Sequence, residues 1–327
     1  MNQKGPLQIK ELRNLQQGAQ FWGKYLVLER IDRRTRDGKE IVNLRLGDAS
    51  GEIDAIVWEN CPVTGDIKAG TVLAMLGDMG SFAGKPQITG KRIKVTDEAP
   101  DEYIKGPETP IQDMQKHFEE IISSIQDPYL GLLLDKIFSA EQRQQFFRAP
   151  AAKRIHHNYK GGLLEHTMAV VDLCEQAAQH YPELNRDLLL TGALLHDIGK
   201  IYEYELRAVP QYTVEGTLIG HIVTGSEMLT RAVEQLRQEG LEFPQQLEWM
   251  LKHMILSHHG SLEYGSPVLP MFAEAFVLHA IDNLDAKLFI YRSKVEEQAD
   301  EEEFFTAYDP VHGHPFFTYR YKFENKE

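Results

Sequence analysis

Cysteine is scarce in this chain, and its scarcity limits the kinds of site that the protein could contain. Only Cys61 and Cys174 occur among 327 residues, which excludes a disulfide framework and a four-cysteine zinc site. Long apolar runs are also missing. The run from Leu188 to Leu195 ends far short of the ~20 residues that span a bilayer, and residues 1–10 lack the apolar core of a signal peptide. We therefore expect a cytoplasmic protein without a membrane-spanning segment.

Positive charge is in deficit overall, but the deficit is uneven. The net charge of −14 argues against avid, nonspecific binding of nucleic acid. Residues 1–100, however, contain 15 Lys and Arg against 13 Asp and Glu, whereas residues 101–327 contain 20 against 36. Since the length suits about two globular domains of ~150 residues, we expect two domains that differ in their electrostatics.

The sequence of residues 1–96 is typical of a small β-rich domain. Five short runs of strand-forming residues are separated by turn signals such as Asp37-Gly38. From Ile41 to Leu46, apolar and polar residues alternate as in a half-buried strand. We predict a five-stranded barrel of the OB type. An SH3-like barrel is the alternative that the pattern leaves open.

The remaining sequence predicts a linker and then helices. Residues 97–110 are acidic, and Pro100, Pro107 and Pro110 interrupt any helix there. Residues 111–300 have helical periodicity, which predicts an all-α domain and a multidomain fold of β-barrel plus helices. The expected helices cover residues 111–125, 129–138, 162–180, 187–198, 220–239, 244–257 and 271–292, with a further start at Ser139. Residues 301–327 form an acidic and then aromatic tail to which we assign no role.

Chemistry is indicated by a histidine next to an aspartate in a strongly apolar setting. His196 and Asp197 follow Leu194-Leu195 and precede Ile198, so the pair is expected on a buried helix, where an unpaired carboxylate is costly. A bound metal would offset that cost. Among thirteen histidines there is ample material for nitrogen and oxygen ligands, which suit Mn²⁺, Fe²⁺, Co²⁺, Ni²⁺, Zn²⁺ or Mg²⁺. We favour Mn²⁺.

Longer motifs around this pair resemble a known family. The string His196-Asp197-Ile198-Gly199-Lys200, with His166 before it and Asp282 after it, resembles the HD-domain phosphohydrolase superfamily. Segments 156–167, 213–222, 253–267 and 278–287 are similar to the YhaM-type 3′→5′ exoribonucleases, which join an N-terminal OB-fold to a C-terminal HD domain. The branch that acts on cyclic dinucleotides is less similar, because no Gly-Tyr-Pro string is present.

The resemblance implies roles for individual residues. It implies one or two divalent cations per chain, with Asp197 as the bridging carboxylate. The implied metal ligands are His166, His196, Asp197 and Asp282 for the primary site, and His221, His258 and His259 for a second site. Asp197 and Lys200 are the expected catalytic residues, Lys200 as a contact to phosphate. The alternatives are that Lys200 merely complements a helix end and that His259 caps its helix. His156, His157 and His279 are expected to contact substrate or to support the ligands, and Asp285 to form a salt bridge or a supporting hydrogen bond.

The predicted barrel has a basic and aromatic surface. Its candidate nucleic-acid-binding residues are Arg33, Arg34, Arg36 and Lys39 near the first hairpin, Lys85 and Arg92 near the last, and the stacking residues Trp58 and Phe82. Arg30, Lys91, Phe21 and Trp22 are further candidates. The alternative is an ordinary solvated strand face for the basic residues and a core position for the tryptophans.

Together these features lead to one main functional hypothesis. The resemblance implies a metal-dependent 3′→5′ exoribonuclease that cleaves single-stranded RNA, with single-stranded DNA as a further substrate, to nucleoside monophosphates. It also suggests a homo-oligomer. The alternatives are an HD-domain phosphohydrolase of small or cyclic nucleotides and a noncatalytic RNA-binding adaptor.

Overall fold

A computed structural model describes residues 5–35, 37–82, 84–104, 106–107, 109–152, 159–205, 207, 209–297, 304–309, 312–319 and 321. The chain divides into two compact units, one of Met1–Lys105 with Phe289–Glu327 and one of Gly106–Leu288. No helix in the described ranges has the length and apolar character needed to cross a membrane.

The first unit contains a β-barrel. Its elements are helix α1 (Ile9–Leu12) and strands β1 (Gln20–Arg34), β2 (Glu40–Asp48), β3 (Gly51–Trp58), β4 (Val63–Thr64), β5 (Val72–Phe82) and β6 (Lys85–Thr96). A 3₁₀ turn, Pro100–Tyr103, follows. The five predicted strands correspond to β1, β2, β3, β5 and β6, and the short β4 lies in the segment between the third and fourth of them.

Strand β1 is long enough to pair on both sides. Its first part, Gln20–Leu26, pairs with β5, and Leu26–Arg34 pair with β2, with a register shift between Val27 and Glu29. The sheet order is β3-β2-β1-β5-β6, and a parallel pairing of β3 with β6 closes the barrel. This strand order is that of the OB-fold. The prediction of an OB-type barrel is therefore confirmed.

The second unit is helical. Its helices are α2 (Ile111–Ser124), α3 (Pro128–Ile137), α4 (Ala140–Phe146), α5 (Gly162–His180), α6 (Arg186–Leu195), α7 (Lys200–Glu203), α8 (Val214–Leu218), α9 (His221–Gln238), α10 (Gln245–Ser257) and α11 (Ala273–Glu297), which continues past residue 288. A 3₁₀ turn covers Leu262–Tyr264. The structure adds a short antiparallel ladder that the sequence did not predict, β7 (Tyr204–Glu205) with β8 (Gln211–Tyr212).

Helix α6 lies at the centre of the helical core. The side chain of Asn185 caps its start by accepting a bond from the Leu188 N–H at 3.0 Å, and residues 188–195 are all buried. Gly192 permits close packing on α10, because a Cβ atom there would lie 2.0 Å from the terminal methyl of Met254. This burial places His196 and Asp197, at the end of α6, inside the domain.

Candidate metal centre

Five helical segments bring the predicted ligands together. His166 lies on α5, His196 and Asp197 follow α6, and His221 is the first residue of α9. The others are contributed by the turn after α10 (His258 and His259) and by α11 (Asp282). Among the described residues, two groups have ligand atoms mutually close enough to hold a metal ion: His166, His196 and Asp197, and Asp197, His221, His258 and His259.

Asp197 belongs to both groups through different oxygens. Its Oδ2 lies 3.4 Å from His196 Nε2 and 3.6 Å from His166 Nε2. Its Oδ1 lies 3.3 Å from His221 Nε2 and 3.5 Å from His258 Nε2. The carboxylate thus separates two half-sites, which we call the Oδ2 side and the Oδ1 side. Asp282 belongs to the Oδ2 side, because its Oδ1 is 3.1 Å from His166 Nε2.

The imidazole rings share one orientation of their hydrogen bonds. In each ring Nδ1 faces an oxygen acceptor, so Nδ1 carries a proton and Nε2 is the nitrogen that can bind a metal. These acceptors are Asp285 Oδ2 for His166 (2.7 Å), Ala193 O for His196 (2.7 Å), Glu203 Oε1 for His221 (3.1 Å), Ile255 O for His258 (2.7 Å) and Tyr264 O for His259 (2.7 Å). Each ring consequently offers its Nε2 atom as the nitrogen that can bind a metal.

Buried polar atoms at the centre fit a divalent cation. Among the described residues, Asp197 Oδ1, His221 Nε2 and His258 Nε2 are buried and have no hydrogen-bond partner. On the Oδ2 side, the Nε2 atoms of His166 and His196 approach to 3.2 Å. Two lone pairs at that distance require a proton or a cation between them. The donor set of imidazole and carboxylate groups suits the divalent ions expected from the sequence.

The electrostatic environment favours positive charge at the centre. Burial opposes ionisation of Asp197, but Lys200 and His196 outweigh it and hold the pKa of Asp197 well below its usual range. Burial likewise disfavours a charged His166, but Asp282 and Asp285 outweigh it and raise the pKa of His166 to about 10. The carboxylates that favour a proton on this ring would equally favour a divalent cation.

On the Oδ1 side, burial is the main influence on the pKa values of two histidines. Burial lowers the pKa of His258, and burial together with the neighbouring His258 lowers the pKa of His259 to about 3. Both rings are therefore neutral at neutral pH, as a metal ligand must be.

Lys200 lies within the centre rather than at its edge. Its Nζ donates to Asp197 Oδ2 at 2.6 Å, and only 8% of its side chain is exposed. An ammonium has three donors, and this contact uses one. The burial and the ion pair argue against the alternative that Lys200 merely complements a helix end.

His279 supports the turn that carries two of the histidines. Its Nδ1 donates to the carbonyl oxygen of His258 at 2.8 Å. A Cβ atom on Gly260 would lie 2.0 Å from the His279 ring, and Gly260 has a φ of +73°. The glycine therefore lets the turn close against His279, which contacts the backbone of the ligand segment and not its imidazoles. His156 and His157 lie outside the described residues.

Two carboxylates complete the surroundings of the histidines. Sequence reasoning named Asp285 as a supporting residue but gave Glu203 no role. Glu203 is buried, with its Oε1 3.1 Å from His221 Nδ1 and 3.2 Å from the His221 backbone N–H. One sequence signal could have indicated a role for Glu203: it is an acidic residue that lies between Ile201 and Tyr204, both buried, in the predicted helical domain.

Known proteins are similar to this chain in sequence. The HD domain family model matches residues 163–287. A Geobacillus protein named 3'-5' exoribonuclease YhaM is 34% identical over 270 residues, which are 81% of this chain and 82% of the relative. A Bacillus velezensis protein of the same name is 35% identical over 268 residues, which are 80% of this chain and 82% of the relative. The chain belongs to the YhaM exoribonuclease family.

Membership of the YhaM family and the HD domain together make this protein a hydrolase. Solved OB-fold domains are similar to its barrel at low scores. The second OB-fold domain of replication protein A from Methanococcus maripaludis is 17% identical with a TM-score of 0.23, covering 28% of this chain and 96% of that domain. We assign the barrel to the OB-fold because of its strand order and not because of this similarity.

The barrel of this YhaM-family protein presents a row of candidate nucleic-acid-binding residues. Arg33 on β1 pairs with Ile41 on β2, and Ile41 pairs with Trp58 on β3. Directly paired residues share one face of a sheet, so Arg33 and Trp58 lie on the same face with one strand between them. Both side chains are exposed, Trp58 by 37%. This exposure contradicts a core position for Trp58.

The last hairpin of the YhaM-type barrel presents another aromatic and basic pair. Phe82 pairs with Lys85 where β5 turns into β6, and Phe82 is 70% exposed. Lys39 and Arg92 are exposed as well, and Arg34 is exposed but bonded to Glu40 at 2.8 Å.

The remaining barrel candidates have different surroundings. Phe21 is fully buried in the core, so the expectation that it stacks on a base is wrong. Arg30 is bonded to Asp32 at 2.9 Å and Lys91 to Asp78 at 3.1 Å. Trp22 is partly buried. Arg36 lies outside the described residues.

Proposed function

We propose that this protein is a metal-dependent 3′→5′ exoribonuclease that hydrolyses single-stranded RNA to nucleoside monophosphates. The observation that carries the proposal is the position of Asp197, whose two oxygens face two separate sets of imidazole Nε2 atoms. A carboxylate shared in this way is suited to a two-metal phosphodiesterase centre. The names of the two relatives support RNA as substrate and the 3′→5′ direction.

The proposed ligands divide between the half-sites. His166, His196 and Asp282 would hold one cation with Asp197 Oδ2, and His221, His258 and His259 would hold another with Asp197 Oδ1. Mn²⁺ is the proposed ion. When bound, a cation of this kind supplies the Lewis acidity that activates water and offsets charge on the phosphate.

Residues of the chain itself prepare the centre for phosphate. Lys200 places its ammonium group next to Asp197, where its remaining N–H donors can bind non-bridging phosphate oxygens. Burial of Asp197, whose side chain is 3% exposed, keeps water from screening these interactions. Asp197 and Lys200 are accordingly the proposed catalytic residues.

The proposed task of the barrel is to hold the strand. Trp58 and Phe82 would stack on bases, and Arg33, Arg34, Lys39, Lys85 and Arg92 would contact phosphates, as in other single-strand binders. Single-stranded DNA as a second substrate, self-association and a cytoplasmic location stay predictions of the sequence.

Digestion of a 5′-labelled single-stranded RNA with Mn²⁺ tests the proposal. Parallel reactions use a copy blocked at its 3′ end, a DNA copy and the Asp197→Ala variant, all resolved as ladders over time. Progressive shortening that requires a free 3′ end and Asp197 is the expected result. If the RNA stays intact while mono- or cyclic nucleotides are hydrolysed, the protein is a small-nucleotide phosphohydrolase and not an exoribonuclease. Binding of RNA without any hydrolysis would indicate an adaptor.

A further inference from the structure

We propose that two carboxylates outside the ligand set, Asp285 and Glu203, separately set the affinities of the two half-sites for a divalent cation. Asp285 serves the Oδ2 side through His166, and Glu203 serves the Oδ1 side through His221. Both act as positioning residues. The inference rests on the proposed function in one respect only, that the centre takes two cations.

The two half-sites repeat one pattern of support. On each side, one histidine at the end of a helix donates its Nδ1–H to the backbone carbonyl three residues earlier, His196 to Ala193 and His258 to Ile255. On each side, a second histidine donates instead to a carboxylate, His166 to Asp285 and His221 to Glu203. A carboxylate makes an imidazole a stronger ligand than a carbonyl does, and such partners typically change metal affinity by about 10–100-fold.

Asp285 shares a helix with a proposed ligand. Asp282 and Asp285 lie one turn apart on α11, and the Oδ1 of Asp282 approaches His166 Nε2 at 3.1 Å while Asp285 accepts from Nδ1 at 2.7 Å. One helix therefore contacts both nitrogens of the same ring. This arrangement fixes the ring plane and the direction of the Nε2 lone pair.

Glu203 is held in place by the start of α8, which follows the unpredicted β7–β8 ladder. Its backbone carbonyl accepts from the Thr213 N–H at 3.0 Å, and a Cβ atom on Gly216 would lie 2.4 Å from that same carbonyl oxygen. Close packing on Gly216 thus fixes the backbone of Glu203. Its carboxylate then receives both the backbone N–H and the Nδ1–H of His221, so the ring is fixed relative to the start of α9.

The geometry assigns the two carboxylates to different halves. Among the described residues, Asp285 accepts from a histidine of the Oδ2 side and Glu203 from a histidine of the Oδ1 side, and Asp197 is the ligand that the two sides share. Removing one carboxylate should therefore weaken one half-site and leave the other intact. A general structural role predicts a different result, in which both half-sites weaken together.

Titration of the metal-free full-length protein with Mn²⁺ tests the inference without any RNA. Wild type is compared by calorimetry with Asp285→Asn, Glu203→Gln and Glu203→Ala. We expect two binding steps in wild type. Each single variant should lose about 10–100-fold in one step only, a different step for Asp285→Asn than for Glu203→Gln. Glu203→Ala should lose more than Glu203→Gln, because the glutamine oxygen still accepts from His221.

Matched controls are available in the same chain. On the surface, Asp172 accepts a hydrogen bond from His117 at 2.6 Å. Glu205, on β7, forms an ion pair with Arg207. Asp172→Asn and Glu205→Gln should leave both steps unchanged. Electron paramagnetic resonance gives a second readout, because two Mn²⁺ ions that share Asp197 couple magnetically. At intermediate Mn²⁺ concentrations, that coupled signal should be lost in Glu203→Gln and in Asp285→Asn, but not in wild type or in the two control variants.

Three results would overturn the inference: a single binding step in wild type, loss of both steps together in either variant, or two unchanged steps in both. These outcomes can be distinguished even if the protein does not digest RNA, because the titration measures only the binding of Mn²⁺. A wild type that binds two ions but does not degrade RNA would overturn the proposed function and retain the inference.

Discussion

Gly199 lies directly against the backbone of His221. A Cβ atom on Gly199 would stand 2.1 Å from the His221 carbonyl oxygen and 2.7 Å from the Gly225 nitrogen. The glycine within the sequence His-Asp-Ile-Gly-Lys is therefore required by packing, because it allows the segment after Asp197 to approach the first turn of α9.

Substitution Gly199→Ala should consequently displace His221. We expect a lower melting temperature and loss of Mn²⁺ from the Oδ1 side, measured by thermal unfolding and by metal titration. Gly131→Ala is the matched control, since nothing lies within 4 Å of a Cβ built there within α3. The control should stabilise the helix by about 0.5–1 kcal/mol. Equal behaviour of the two variants would contradict the packing argument.

Binding of Mn²⁺ should depend on pH through His166. The pKa of His166 without a cation is about 10, so a proton competes with the metal throughout the neutral range. Affinity should rise with pH until about pH 10, and binding should release protons. Calorimetry in two buffers of different ionisation enthalpy measures that release. An affinity that stays constant between pH 6 and pH 9 (roughly one to four units below that pKa) would disprove the competition.

Glu248 should contribute to stability in a pH-dependent way. It is 4% exposed and pairs with Lys252 at 2.6 Å and Arg237 at 2.8 Å. Burial raises the pKa of Glu248, but Lys252 and Arg237 outweigh it and lower the pKa. Because the folded-state pKa is the lower one, the stabilisation is present above the unfolded pKa of about 4.3 and is lost as pH falls through the folded value.

The substitution Glu248→Gln should therefore cost roughly 1.5–3 kcal/mol at pH 7 and progressively less below about pH 4. Chemical denaturation at several pH values measures the difference. Glu227→Gln removes an exposed pair with Arg231 at 2.8 Å and should cost less than about 0.5 kcal/mol. A penalty for Glu248→Gln that grows as pH falls would be evidence against the assigned sign.

RNA binding should depend on the row that joins Arg33 and Trp58. In an Asp197→Ala background, Trp58→Ala should weaken binding by about 1–3 kcal/mol through lost stacking. Combined Arg33→Ala and Arg34→Ala should weaken binding and flatten its dependence on salt. Fluorescence anisotropy with labelled RNA measures both.

Trp249→Ala provides the matched control for that experiment, because Trp249 is 60% exposed on α10 of the helical domain. It should leave RNA affinity unchanged. If Trp249→Ala weakens binding as much as Trp58→Ala does, the row on the barrel is not the strand-binding surface.

Sequence reasoning reached the parts of the fold that are encoded locally. Alternation around Ile41–Leu46 predicted a strand of the barrel, and the apolar run before His196 predicted a buried helix end. The ligand candidates were reached through motif order, which the structure brings together around Asp197. These features depend on neighbours in the sequence or on strings long enough to compare with a family.

The missed features depend on contacts between distant residues. Glu203 meets His221 only because the β7–β8 ladder and Gly216 fold back on it, and two strands of two residues each have no periodicity to detect. Phe21 and Trp58 are both aromatic residues on strands, yet one is core and the other exposed. The closure of the barrel decides which positions of β1 and β3 are buried.

The parallel pairing of β3 with β6 also has a consequence during protein synthesis. It joins Asp54 to Gln87, so β3 stays an open edge until the last strand of the barrel has left the ribosome. Unpaired edges are sites of aggregation, and non-local pairings form slowly. The strands of the barrel are synthesised before the helical unit, and the barrel stays partly open until β6 has been synthesised. Slow translation between residues 58 and 96 would therefore lengthen the period in which nascent chains can associate through β3.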